Sequence, residues 1–391
     1  MSGYQKRHLG NFPMHKIKRV DRPTTIIHDN AVQRVSESDA GFMKARRGLH
    51  GPTLQKEVGR FVTKHPMSGT QWWIMGEMRQ LVDGMAAKQI APIPNDPRSL
   101  SRHIKEAAYF LRADVVGICE LPPYAVYSHT YDPKNADGEG IPVNLNHKYA
   151  IGILVDQDWP TAEAFSGHDW ISNAMSMLAY SNSGFIAIIL ADYIRRLGYP
   201  ARAHYARNYQ VVLPPILLWA GLGEMSRIGD CVVNPFLGPR FKAAVVTTDL
   251  PLFPDKPIDF GLQDFCSKCR KCARECPSGA LSDGDKEMFN GYEKWPNDVL
   301  KCTKMRVGNQ KGSGCGTCIK VCPWNKPYTS FHRAVGWAMR RSAVARSLAI
   351  KADDLMGYGK PDYANKWWLD LEDVEGDGVL VVPDSTRRSN V

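Results

Sequence analysis

From Trp72 to Met85 apolar residues fall at helical spacing, and Leu100, Ile104, Ala107, Ala108 and Leu111 form a second amphipathic stripe with Ser99 as its candidate cap. Asp114–Cys119 and Tyr149–Val155 are short apolar runs of the kind that buried strands carry, and Pro200–Ala206 and Lys242–Thr248 read as further strands. The segment Ser181–Gly198 opens on small polar residues and closes on Arg195, Arg196 and Gly198. These are the start and stop signals of one helix, with its cations at the negative end of the helix dipole. Helices alternating with strands predict a layered α/β or α+β body. The first 65 residues are polar and weakly periodic, which predicts an irregular arm with extended pieces such as Thr24–Ile27. Beyond about Pro257 the strand pattern fades and Cys becomes dense until about Pro327. Phe331–Ile350 is helix-like and precedes an acidic, Trp-bearing tail. The expected units are an N-terminal arm (1–65), a layered domain (66–256), a cysteine-rich domain (257–327) and a helical, acidic extension (328–391).

The apolar stretches near 185–190 and 211–223 are broken by Pro, Gly or charge short of the ~18–20 residues that cross a bilayer. No membrane span is therefore expected. Residues 1–13 carry positive charge but no apolar h-region and no twin-arginine pair, so the expectation is a cytoplasmic chain. With 43% hydrophobic and 10% aromatic residues, the 391-residue chain can bury a full core, which excludes disordered and collagen-like classes. Of the +10 net charge, residues 1–64 carry most, with 13 Lys and Arg against five acids. Such an arm could meet nucleic acid or an acidic partner; the expectation is a solvated arm that wraps the body and pairs with surface acids.

Ten Cys in a reducing compartment call for metal or catalysis rather than disulfides. Cys266, Cys269, Cys272 and Cys276 are spaced C-x2-C-x2-C-x3-C and followed by Pro277. This is the run of two-cluster ferredoxins, in which the fourth Cys serves the other cluster. Short gaps let three thiolates converge on one cube. A second run, Cys315, Cys318, Cys322 and Pro323, has Gly312 where its first Cys would stand, and Cys302 can substitute. One [4Fe–4S] cluster is assigned to Cys266, Cys269, Cys272 and Cys322, the other to Cys276, Cys302, Cys315 and Cys318. A zinc ribbon would leave four thiols over. Cys119 and Cys231 lie in apolar surroundings and read as inert core thiols.

A carrier needs only the cluster domain, so the residues before it must house a redox partner site. They hold no P-loop, no G-x-G-x-x-G after a strand and no HExxH. The order of blocks is more informative: Leu213-Pro-Pro, Ala220-Gly-Leu-Gly-Glu224, Arg227-Ile-Gly229, Asn234-Pro-Phe-Leu-Gly-Pro-Arg240, Val246-Thr-Thr-Asp-Leu-Pro-Leu252, then the offset ferredoxin closing in Cys322-Pro-Trp324. Over roughly residues 70–330 this resembles the cobalamin-dependent reductive dehalogenases, specifically a cytoplasmic, catabolic branch. The resemblance implies a nitroreductase-like α/β (α+β) corrinoid-binding domain packed against a bacterial two-[4Fe–4S] ferredoxin-like domain. It implies base-off cobalamin without a protein His ligand, in keeping with the lack of a D-x-H-x-x-G motif here.

By position, Tyr180, placed just before the predicted helix, matches the family's catalytic tyrosine. Lys242 matches a lysine of the catabolic branch, and Arg306 an arginine that faces substrate there. Reductive loss of halide leaves a carbanion or radical that needs a proton; a phenol can give one, and a nearby ammonium favours its phenolate. A guanidinium suits a carboxylate, a phenolate or the departing halide. Asn208 and the turn Gly221, Gly223, Glu224 are candidate corrinoid contacts, since small residues let backbone approach a flat macrocycle. Trp159, Phe165 and Trp170 are candidate pocket walls. The implied substrate is a small organohalide, such as a halogenated phenol or hydroxybenzoate. The chain carries neither the export signal of respiratory members nor the fused reductase domain of some catabolic ones, so electrons are expected from a separate ferredoxin or flavoprotein. The alternative reading is an epoxyqueuosine reductase acting on tRNA. That family is expected to use a catalytic aspartate, and its substrate would want a basic face around the site; the near-neutral body argues against nucleic acid.

Overall fold

The computed structural model describes residues 10–135, 138, 140–373 and 379–382. Its centre is a four-stranded antiparallel sheet of β1 (Val115–Glu120), β2 (Tyr149–Asp156), β3 (Ala201–His204) and β4 (Phe241–Thr248), in the order β1-β2-β4-β3. All four predicted strands form, each within a residue or two of its expected bounds. β1 and β2 are almost uniformly apolar because both faces are covered, while β3 (Ala-Arg-Ala-His) and the end of β4 bury polar side chains as well. Val116, Ile118, Ile151, Ile153 and Val246 join one core with the helices, while Val115, Cys119, Leu154 and Val245 join a second.

The helix over the first face runs Ile171–Arg196, beginning ten residues before the predicted start. Ser181 and Ser183, which read as a cap, lie inside it. Their hydroxyls donate to the carbonyls of Met177 and Tyr180, at 2.8 and 3.0 Å. At 26 residues this helix is long and apolar enough to cross a membrane, which corrects the sequence-based expectation. Its packing against β4 and the 66–77 helix marks it as a core helix, with 16 buried residues.

Other boundaries move for local reasons. The helix expected at 72–85 is Pro66–Glu77 followed by a 3-10 turn. Asp96 rather than Ser99 caps Pro97–Phe110, accepting from the Arg98 and Ser99 amides. The stretch expected as one C-terminal helix is two, Ser330–Met339 and Ala343–Leu355, because Ser342 caps the second by accepting from Ala345 N.

The N-terminal arm departs most from its prediction. It forms two short helices, Gly41–Arg46 and Pro52–Arg60, and a strand pair between Lys18–Arg19 and Ile258–Asp259. Only Leu54, Glu57 and Val58 are buried in the second helix, too few to announce it by periodicity. The arm does wrap the body as expected: Lys18 pairs with Asp259 at 2.6 Å and Arg60 with Asp373 at 2.9 Å.

Candidate active site and cluster lobe

Tyr180 stands within the long helix, not before it, and is half-buried. Lys242 occupies the single position of β4 that is not fully buried. Its Nζ lies 5.1 Å from the centroid of the Tyr180 ring. The ammonium thus sits over the ring face, where cation–π attraction fixes the phenol. Two residues that sequence reading missed close this site. Tyr209 donates its hydroxyl to Ala243 O at 2.8 Å, and burial first, then its Tyr180 and Tyr127 neighbours, pushes its phenol up. Cys231, expected to be inert, lies close enough to Lys242 and Cys318 to interact electrostatically with both. Burial pushes its thiol up to about 11, against the pull of Lys242. Neither carries a sequence signal beyond adjacency to a named motif.

Arg306 is not joined to this pair by any hydrogen bond, ion pair or ring contact among the described residues. Its Nε donates to Gly314 O at 3.1 Å, and its guanidinium lies over Phe42 and Phe61 at 4.7 and 5.7 Å. Those rings stack at 5.4 Å; Phe42 lies in the Gly41–Arg46 helix and Phe61 directly follows Pro52–Arg60. Phe165 and Trp170 are core residues beside Trp368, and Trp159 lies under the Arg240 guanidinium at 4.9 Å.

The Gly221–Glu224 turn serves packing. Gly117 on β1 faces Gly152 on β2, and the two let this turn press onto the sheet. A Cβ on Gly117 would meet Ala220 O at 2.3 Å, and one on Gly152 would meet the Leu222 side chain at 2.6 Å. A Cβ on Gly221 would strike Lys256 O, and one on Gly223 would strike Val233 O, both at 2.3 Å. The space beside each glycine is therefore filled by protein, which corrects their candidacy as macrocycle contacts. Glu224 is buried and accepts from Thr24 Oγ1 and Phe260 N, both at 2.6 Å. Asn208 is likewise committed, its side-chain oxygen accepting from Arg202.

The other motif blocks join the layered domain to the cluster lobe. Arg227, buried, donates to Cys266 O (2.9 Å), Ser282 O (3.0 Å) and Gly284 O (2.8 Å). Arg240 spans Asp156 and Asn325.

In the lobe the eight cysteines of the two runs are all free of disulfides. Cys266, Cys269, Cys272 and Cys322 perturb one another, while Cys302 responds to Cys315 and Cys276. Cys318 feels Cys315 and Cys302 from its own group and Cys272 from the other, so the two groups abut. Burial pushes the Cys272 thiol up to about 12 and holds Cys318 and Cys322 far above their ordinary value. Buried thiols of this kind lose their protons to a bound metal. No three His, Cys, Asp or Glu side chains converge on a single-ion site among the described residues. Eight free thiols are the donor set that two four-ligand cubes need. The two halves also repeat: single helical turns holding Cys272 and Cys318 each follow a positive φ, at Arg270 (52°) and Gly316 (81°).

Comparison with known proteins agrees with this construction. Residues 265–325 match the 4Fe-4S double cluster binding domain. The tetrachloroethene reductive dehalogenase of Sulfurospirillum multivorans is 30% identical over 311 residues, covering 71% of this chain and 60% of that protein. The structure of a catabolic reductive dehalogenase, NpRdhA, in complex with 3-bromo-4-hydroxybenzoic acid superposes with a TM-score of 0.91 at 44% identity, covering 96% of this chain and 54% of that one. An epoxyqueuosine reductase of Bacillus cereus is 32% identical over only 112 residues, 27% of this chain and 28% of that one. A layered α/β domain carrying a double-cluster lobe defines an iron–sulfur oxidoreductase. Within that class, the chain belongs to the reductive dehalogenase family, whose cofactor set is cobalamin with two [4Fe–4S] clusters. It spans little more than half the length of these relatives.

Proposed function

We propose that this chain catalyses cobalamin-dependent reductive dehalogenation of a small aromatic organohalide: R–X, two electrons and one proton give R–H and X⁻. The observation that carries the reading is the Tyr180–Lys242 pair, half-exposed on otherwise buried elements. The groups around it, two phenols, an ammonium and a thiol, include no imidazole; His204 is spent on Arg202 and Thr247. That fits cobalamin held base-off in a nitroreductase-like domain, with Tyr209 on the partly exposed 206–210 segment as the chain's nearest candidate to hold it. When bound, cobalamin supplies the low-valent cobalt that reduces the carbon–halogen bond.

In this reading Tyr180 gives the proton to carbon and Lys242 orients the phenol. Arg306 holds a carboxylate or phenolate of the substrate, with Phe42 and Phe61 against its aromatic ring. Cys266, Cys269, Cys272 and Cys322 would hold one [4Fe–4S] cluster and Cys276, Cys302, Cys315 and Cys318 the other, and the two clusters would supply the site with single electrons. The donor is a separate ferredoxin or flavoprotein, and the setting is cytoplasmic. The test is anaerobic reconstitution with cobalamin, followed by metal analysis and bromide release from 3-bromo-4-hydroxybenzoic acid. Iron for two clusters, equimolar cobalt and bromide release are expected. Iron without cobalt would reduce the chain to an electron carrier, and restoration of queuosine in a deficient strain would favour the tRNA enzyme.

A further inference from the structure

Residues 299–352 contain 11 Lys and Arg and not one Asp or Glu. This stretch builds the two C-terminal helices, and between them and the 235–236 turn lies an open groove of about 500 Å³. Phe236, Trp324, Tyr328, Phe331 and Trp337 line it, with Arg340 at its edge. Trp337 is 55% exposed and Phe331 59%, an unusual face for a chain with ample core elsewhere. Cations alternate with the rings: Arg333 lies over Tyr328 (5.0 Å), Arg340 over Phe236 (5.2 Å) and Arg341 over Trp337 (4.5 Å). None of these three arginines is in an ion pair with a described residue. The one acid on the groove wall, Asp353, is neutralised by Lys271 and Lys326, at 2.5 and 2.7 Å.

The floor of the groove is Pro323 and Trp324, the residues directly after Cys322. Trp324 packs edge-on against Phe260 (4.9 Å) and Phe265 (5.7 Å), and Phe265 precedes Cys266. The groove therefore backs onto two ligands of the first cluster. We propose that it is the docking surface for an acidic one-electron carrier protein, which reduces the Cys266/Cys269/Cys272/Cys322 cluster. Each encounter oxidises the carrier by one electron and reduces the cluster by one; two encounters supply the pair that carbon–halogen cleavage consumes. This rests on the redox role proposed above.

Charge selects this occupant over others. A second copy of the chain would bring the same cationic face. The chain's own described acidic tail is spent elsewhere, with Glu372 on Lys311 (2.8 Å) and Asp373 on Arg60 (2.9 Å). An acidic carrier meets both the aromatic floor and the guanidinium rim, an interface chemistry in which aromatics and Arg carry most of the energy.

The test uses the full chain with both clusters rebuilt, and stopped-flow absorbance to follow their reduction. The reductants are a reduced plant-type ferredoxin, a reduced flavodoxin and dithionite. In the R333E/R341E variant the second-order rate with the protein carriers falls at least tenfold and loses its steep salt dependence, while the dithionite rate stays within twofold. W337A lowers the carrier rate several-fold at unchanged salt dependence. K56E/K88E, with the same change in net charge on other elements, leaves all rates alone. Unchanged carrier rates in R333E/R341E, equal falls with dithionite, or failure of both carriers to reduce the wild type would each overturn the proposal. Halide release is not read, so failure of the dehalogenase reading would show separately.

Discussion

The layered domain and the cluster lobe are built on opposite principles. The domain's two main apolar clusters hold 32 and 21 buried residues, while the lobe's holds 11, two of which are Cys266 and Cys322. A core that small cannot offset the entropy of ordering its loops, so the lobe depends on its clusters. The domain has a large apolar core of its own, and its proposed chemistry lies in a few half-exposed side chains. Stability and function thus coincide in the lobe and separate in the domain.

The strongest way to break that contrast is to remove one cluster ligand. Cys322→Ser should cost one cluster, half of the bound iron, and the stability that cluster binding lends the lobe; metal binding in small domains is worth on the order of 10 kcal/mol. Iron analysis and limited proteolysis would show whether residues 258–327 become cleavable while the sheet domain persists. Full iron content would refute the pairing of Cys322 with the first three cysteines.

In the domain, the corresponding change should spare structure. Tyr180→Phe should keep the melting temperature within a degree or two and retain cluster and cobalamin spectra, while turnover falls about 10²–10⁴-fold, the usual worth of a positioned proton donor. Unchanged turnover would remove Tyr180 from that role.

Where these two principles lie explains what the sequence disclosed. Cluster ligation is a matter of spacing along the chain, so the double-cluster domain was legible, and the family match over residues 265–325 agrees with it. β1 and β2 were legible because runs buried on both faces are simply apolar, whereas β3 buries Arg202 and His204. The start of the long helix was misplaced because Ser181 and Ser183 satisfy their hydroxyls on the preceding turn, which spacing cannot distinguish from a cap. The Gly221–Glu224 turn drew a ligand assignment because glycines report close approach without naming what approaches. Here the approaching groups are the sheet and the Lys256 and Val233 carbonyls. Phe42 and Phe61 were hidden in and just after helices too short to show a period.

The glycine pair gives a smaller, purely structural prediction. Gly117→Ala should destabilise the domain by about 1–3 kcal/mol, since its new methyl meets the Ala220 carbonyl, a backbone atom that cannot swing away. Iron content should not change. Thermal melting followed by far-UV circular dichroism would register the shift, and a neutral substitution would contradict the close approach of turn and sheet.

Acid should sharpen the comparison further, through two groups in the domain with opposite signs. His65 caps the 66–77 helix by accepting from Met67 N through Nδ1 (3.2 Å) and stacks on Trp170 at 3.5 Å between ring centroids. Burial pushes it down to about 4, so it stays neutral in the folded chain when an unfolded histidine would already bind a proton. Its contribution is therefore complete above about pH 6.5 and is lost as pH falls towards 4, about 3 kcal/mol across that span. Asp156 runs the other way. Burial pushes it up to about 6 despite its Arg240 partner, so its contribution is complete below about pH 4 and is lost as pH rises through 6. The wild-type melting temperature should change little between pH 6.5 and 4, because the two slopes partly cancel. His65→Asn keeps a capping acceptor and removes the titration, so its melting temperature should rise relative to wild type on acidification. Asp156→Asn should show the reverse. Parallel curves for wild type and both variants would mean that neither burial sets the pH response of the domain.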